Sequence, residues 1–211
     1  MALDLEEQEQ IDQLRAWWSK YGNLLMAILI VALSLMAAWR GWQWYQVHQA
    51  GQARGYFEAL QDAASQQTGE ESVARITAAV KTLRDDYANT EYATRGALIA
   101  ATALEARKDT ADAQGQLEWV IRSGDRALVP VAKLRLAGLL LNKKDFDAAL
   151  AALNDAPEPF AGVYADRRGD ILVAQGQTSS AKNAWQKAIE LLGPSNPLTS
   201  LVKLKLDALG V

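Results

Sequence analysis

The sequence predicts an all-α protein, with one membrane-spanning helix near its start and an α-solenoid of helix pairs behind it. Three observations predict this. A long apolar run without a charged residue lies in the first quarter of the chain. Further on, small residues return inside helical segments at intervals of 36 and 32 residues, at Ala113, Ala149 and Ala181. The five prolines, Pro130, Pro157, Pro159, Pro194 and Pro197, fall between the periodic segments, and runs of β-branched residues are scarce.

The apolar run includes residues 24–39, LLMAILIVALSLMAAW, interrupted only by Ser34. Between Lys20 and Arg40 stand 19 residues with no charge. A helix rises about 1.5 Å per residue and a bilayer core is about 30 Å thick, so this length is enough to span it. A helix apolar all round suits lipid better than a soluble core, where one face stays polar. A cleaved signal peptide needs a basic start and small residues at its exit. Here the start is acidic, with Asp4, Glu6, Glu7, Glu9 and Asp12 against Arg15 and Lys20, and the exit is tryptophan-rich. The expected organisation is therefore an acidic tail over 1–20, a transmembrane helix with aromatic flanks over 21–45, and a repeat domain over 46–211.

Trp17, Trp18 and Tyr21 precede the run; Trp39, Trp42, Trp44 and Tyr45 follow it. Such rings favour the headgroup level, where one edge is apolar and the other hydrogen-bonds. They are more numerous than anchoring in the lipid bilayer needs. Trp17, Trp18, Gly22, Trp39, Gly41, Trp42 and Trp44 are thus candidates for docking a membrane partner, beside the simpler reading that they only anchor. Orientation stays open on charge, because Arg15 and Lys20 on one side balance Arg40 and Arg54 on the other.

Composition excludes several classes of function. The net charge is −3 and charges after residue 50 nearly cancel, so no basic field exists for nucleic acid. Without cysteine there is no disulfide, iron–sulfur or thiol chemistry. The single histidine, His48, has no second nitrogen ligand for zinc and no placed serine to activate. No glycine-rich phosphate loop occurs. The expectation is a non-enzymatic interaction protein, with no catalytic, cofactor or metal residues.

The repeat domain divides at about 54–90, 94–127, 130–161 and 162–194, with a capping helix at 196–209. The spacing of Ala113, Ala149 and Ala181 brackets the 34 residues of a tetratricopeptide repeat, and the fold class expected is a tetratricopeptide-repeat α-solenoid. Facing small residues, Ala137 with Ala149 and Gly169 with Ala181, would let paired helices approach. Leu140, Phe146, Leu172 and Trp185 would fill the space between neighbouring pairs. Leu198, Leu201, Val202 and Leu206 would cover the last repeat. The charged run DRRGD, residues 166–170, is expected to be a solvated or ion-paired face.

Such arrays bind with the concave surface of their first helices. The inward positions are Arg95, Leu98, Thr102 and Glu105, then Val131, Leu134 and Leu141, then Val163, Asp166, Asp170 and Val173. A clamp for a terminal carboxylate needs clustered basic residues. Only Arg95 and Asn142 stand out in this set. The candidate peptide groove is Leu98, Val131, Leu134, Leu141 and Val163, apolar enough for a hydrophobic segment of another chain. The other reading is that these side chains are simply buried against neighbouring helices.

Taken together, EEQEQIDQLRAWWSKYGN, one span, AWRGWQWYQVHQAGQARGYFEAL and the array resemble the YfgM-like ancillary subunits of the bacterial Sec translocon over nearly the full length. The resemblance implies a single-pass inner-membrane protein with a cytoplasmic N-terminus and periplasmic repeats. It implies as partners the Sec translocon, a membrane-anchored periplasmic peptidyl-prolyl isomerase-like chaperone, and unfolded exported chains. A rival with the same features is a membrane-anchored scaffold for envelope biogenesis or division complexes.

Overall fold

A computed structural model describes residues 5–66 and 69–210. Asp4 of the acidic tail, and Gln67 and Thr68 within the first expected repeat, lie outside them. The chain is all-α. The helices are α1 (Leu5–Ser65), α2 (Glu70–Asp86), α3 (Glu91–Ala106), α4 (Thr110–Ser123), α5 (Val129–Asn142), α6 (Phe146–Ala152), α7 (Ala161–Ala174), α8 (Thr178–Leu192) and α9 (Pro197–Asp207). A 3-10 turn at Glu158–Phe160 precedes α7, and no strand occurs among the described residues.

The chain divides into two units, residues 1–49 and 50–211. In the first, α1 is long and apolar enough to cross a membrane. Leucine, isoleucine, methionine and tryptophan side chains along it are exposed on every face. No protein surface covers them, so burial within the chain cannot be what stabilises this helix; an apolar solvent is what its surface requires.

The second unit is a run of antiparallel helix pairs. α3 packs on α4, α5 on α6 and α7 on α8, and each pair meets the next through α4 on α5 and α6 on α7. Residues 50–65 of α1 join the same core through Ala53, Leu60 and Ala63. Close approach is possible at Gly96 of α3, where a Cβ would stand 2.8 Å from Leu83 and 3.2 Å from Leu60.

Three of the turns are copies of one another at the level of the backbone. Lys108, Lys144 and Gly176 all have left-handed conformations, with φ of 64°, 60° and 80°. After each, an amide reaches back to a leucine carbonyl: Asp109 to Leu104 at 2.9 Å, Asp145 to Leu140 at 3.0 Å, Gln177 to Leu172 at 2.8 Å. This is how a helix end satisfies its free carbonyls. Asp109 and Asp145 then cap the following helices, accepting from the amides of Asp112 and Ala148. The repeat in sequence is thus a repeat of turn geometry.

Two packing expectations need correction. Gly169 does not face Ala181 as its nearest neighbour: a Cβ there would run into Cδ1 and Nε1 of Trp185. Trp185 therefore fills space inside its own pair, α7 with α8, where only a glycine leaves room for an indole, and its other side meets Val202 of the capping helix. The capping helix also differs. Val202 of α9 is fully buried beside Trp185, Ala165 and Ala188, with Leu206 half-buried against them. Leu198 and Leu201 are not buried at all closely; they are 41% and 48% exposed. They lie about a turn apart on a face of α9 that points away from that small core.

Candidate functional site

The equivalent turns fix a register for the inner face. Counting back from Lys144 and Gly176, Arg135 of α5 and Arg167 of α7 occupy the same place, each nine residues before the turn. Leu134 and Asp166 are likewise equivalent, as are Val131 and Val163. The first helices bring these positions to two adjoining depressions.

One depression, of about 630 Å³, lies between α5, α7 and α9. Leu134 and Val163 from the expected groove line it, together with Glu105, Asp166 and Asp170. Arg135, Arg167, Leu198, Leu201 and Lys205 also line it, beside Gly138, Leu139 and Asn142. The other, of about 600 Å³, is lined by Leu98, Arg95 and Thr102 with Phe57, Ile99 and, again, Arg135. Val131 and Leu141 line neither; Leu141 is half-buried against the main core. The structure thus gathers three of the five apolar groove residues, and makes the surface more charged than their list implied.

The charged run is ion-paired across elements. Lys205 of α9 donates to Asp166 at 2.8 Å and to Asp170 at 2.7 Å, with all three side chains mostly covered. Burial disfavours the charged Lys205 ammonium, but its hydrogen bonds to Asp166 and Asp170 outweigh this and its pKa is raised. Its ammonium also lies 5.9 Å above the Trp185 ring. Trp185 in turn donates from Nε1 to the Asp166 carbonyl at 3.2 Å. A single lysine therefore ties the terminal helix to α7 and to the tryptophan beneath it.

Two other side chains hold the array without having been singled out in the sequence. Arg107, at the end of α3, donates to the carbonyls of Ala63, Ala64 and Gln66 and to Ser72 Oγ, and so closes the end of α1. Tyr164 is buried and donates from its hydroxyl to the Pro130 carbonyl at 3.0 Å, joining α7 to the start of α5. Burial pushes its pKa up to about 12. Neither carries a local sequence signal, since both act on residues more than 30 positions away. Arg135 and Arg167 were legible in principle, because they share a repeat position.

On the apolar helix, the docking candidates Trp17, Trp18, Trp39, Trp42 and Trp44 are all exposed. Trp17 packs on Tyr21 at 5.7 Å, Trp42 on Tyr45 at 6.4 Å, and Trp44 stacks on His48 at 5.3 Å. A Cβ at Gly22 would stand 3.1 Å from Nε1 of Trp18, whereas one at Gly41 would meet open space. Among the described residues no cluster of metal-ligating side chains forms.

An apolar helix long enough to cross a bilayer, followed by a run of helix pairs carrying two depressions, defines a tetratricopeptide-like repeat protein with a candidate membrane helix. A family model described as a tetratricopeptide repeat-like domain matches residues 15–211. A relative from Neisseria gonorrhoeae, named ancillary SecYEG translocon subunit, is 30% identical over 99% of this chain and 100% of its own length. Relatives of the same name come from Haemophilus influenzae, 30% identical over 99% and 100%, and Escherichia coli, 26% identical over 97% of each. The chain belongs to this family of ancillary SecYEG translocon subunits with a tetratricopeptide repeat-like domain.

Proposed function

We propose that the protein is a single-pass inner-membrane subunit held at the Sec translocon by its span and aromatic flanks. Its acidic tail lies in the cytoplasm and its array in the periplasm. There the inner face receives unfolded exported chains and works with a membrane-anchored peptidyl-prolyl isomerase-like chaperone. The observation that carries the reading is the exposed apolar helix with tryptophans on both flanks, on a chain whose relatives are named as translocon subunits. Leucine gains little by leaving lipid for another leucine, so specific helix association must come from shape and polar groups. Trp17, Trp18, Gly22, Trp39, Gly41, Trp42 and Trp44 supply both. The peptide groove is Leu98, Leu134 and Val163, with Val131 and Leu141 at its margins.

Replacing residues 24–44 with an unrelated span of equal length is expected to leave the protein in the membrane and to reduce co-purification of SecYEG in mild detergent. Undiminished co-purification of the swapped protein would move the docking determinants to the tail or the array. A cysteine-labelling experiment with a membrane-impermeant reagent, on single cysteines placed at Glu9 and at Lys187, checks the orientation. Labelling of position 9 in intact spheroplasts would overturn it.

A further inference from the structure

We infer that the depression between α5, α7 and α9 selects an internal stretch of a partner chain in which an Asp or Glu is flanked by large apolar side chains. The inference rests on the reading of the inner face as a peptide groove and adds the chemistry that the groove prefers.

The charges of the depression do not all find partners within it. Lys205 is held by Asp166 and Asp170 at 2.8 and 2.7 Å. Arg167 reaches Asp170 only at 3.6 Å, and its guanidinium lies across Gly138 of the next helix. Arg135 has no carboxylate within 4.0 Å among the described residues. Its hydrogen bonds, to the Leu98 carbonyl at 3.1 Å and Thr102 Oγ1 at 2.7 Å, both come from Nη1. The Nε and Nη2 edge forms no hydrogen bond or ion pair among the described residues, and Arg135 lines both depressions. That edge is the one that meets a carboxylate with two parallel hydrogen bonds. Glu105 lines the same depression but makes no salt bridge to that edge, since it forms no ion pair among the described residues.

Apolar walls stand beside this edge. Leu134 and Val163 lie on the array side, and Leu198 and Leu201 project from α9. A ligand with only apolar groups would desolvate Nε and Nη2 of Arg135 without pairing them, and a polar acidic ligand would leave the leucines wet. A carboxylate between apolar side chains satisfies both. Arg135 also lines the neighbouring depression, with Leu98 and Ile99 on its far side. The groove therefore continues in both directions past the guanidinium, which fits a segment that passes through and not a chain end that stops there.

The test uses the full chain in lipid nanodiscs, with empty nanodiscs as the blank. The probe is a fluorescein-labelled, acetylated and amidated 12-residue peptide with two central glutamates between leucine pairs. It is compared by fluorescence polarisation with its Gln–Gln and Lys–Lys counterparts. The Glu peptide is expected to bind about tenfold more tightly than the Gln peptide at low salt. Arg135→Gln should remove that preference, and Arg135→Glu should turn it towards the Lys peptide, a reversal that a merely structural arginine would not produce. Leu201→Ser should weaken the Glu and Gln peptides alike. Equal binding of those two peptides by the unaltered protein would overturn the acid selection and leave the groove standing; binding of neither would overturn both. A Glu preference that survives Arg135→Glu, or that needs a free C-terminal carboxylate, would also overturn the inference.

Discussion

At the scale of single residues, the array depends on a few side chains whose neighbours are remote in sequence. Trp185 is 4% exposed, cradled by Gly169 and bonded to the Asp166 carbonyl. Emptying that site in Trp185→Ala should cost about 3–5 kcal/mol, the usual range for a large aromatic in a packed core. A denaturant melt showing less than about 1 kcal/mol would mean that the α7–α8 crossing is wrong. Tyr164 makes a pH prediction. Its folded pKa is raised to about 12 against an ordinary value of 10. The folded state thus keeps the phenol proton longer than the unfolded chain does. Its contribution is fully present below pH 10 and is lost as pH rises from 10 through 12, about 2–3 kcal/mol in all. Tyr164→Phe should lose about 1 kcal/mol at neutral pH with the bond to Pro130, yet fall less steeply above pH 10. Parallel alkaline stability curves for the two proteins would contradict this.

At the scale of elements, the terminal helix has two jobs. Val202 and Leu206 close the end of the hydrophobic core, as an end unit of a stacked array must. Leu198 and Leu201 face the groove instead. Lys205 fixes which face does which, through Asp166 and Asp170. Lys205→Met should leave two mostly covered carboxylates with only the longer Arg167–Asp170 pair, at 3.6 Å, to offset them, at a cost of about 2 kcal/mol. Amide hydrogen exchange should then speed up along α9 while α3 and α4 stay protected; uniform exchange across the array would mean that α9 is not held as a separate element. The pairs themselves were legible in the sequence because each carries its own turn and its own small residue. The direction of α9 was not. Its leucines lie on more than one face of the helix, and only the position of the Asp166–Asp170 pair on α7 decides which face turns inward.

At the scale of the whole chain, the two units ask for different solvents. The first presents apolar side chains on every face, whereas the second buries a continuous core from Ala53 to Ile171. A fragment beginning near Gln52 should therefore be soluble and strongly helical by circular dichroism. Substantial strand content, or a fragment that stays with membranes, would overturn the division.

The sequence by itself determined the all-α class, the place of the apolar helix, the periodic pairs and the family. Each of these is written in local patterns: an uncharged run of fixed length, small residues at a steady interval, prolines confined to breaks. The tertiary structure alone decided that Trp185 packs on Gly169, that Tyr164 and Arg107 bridge distant helices, and that Leu198 and Leu201 line a groove with Arg135, which has no carboxylate partner among the described residues. These bring together residues some 16 to 66 positions apart. Local propensity places a side chain on a face of its own helix, but what that face meets depends on how the pairs stack.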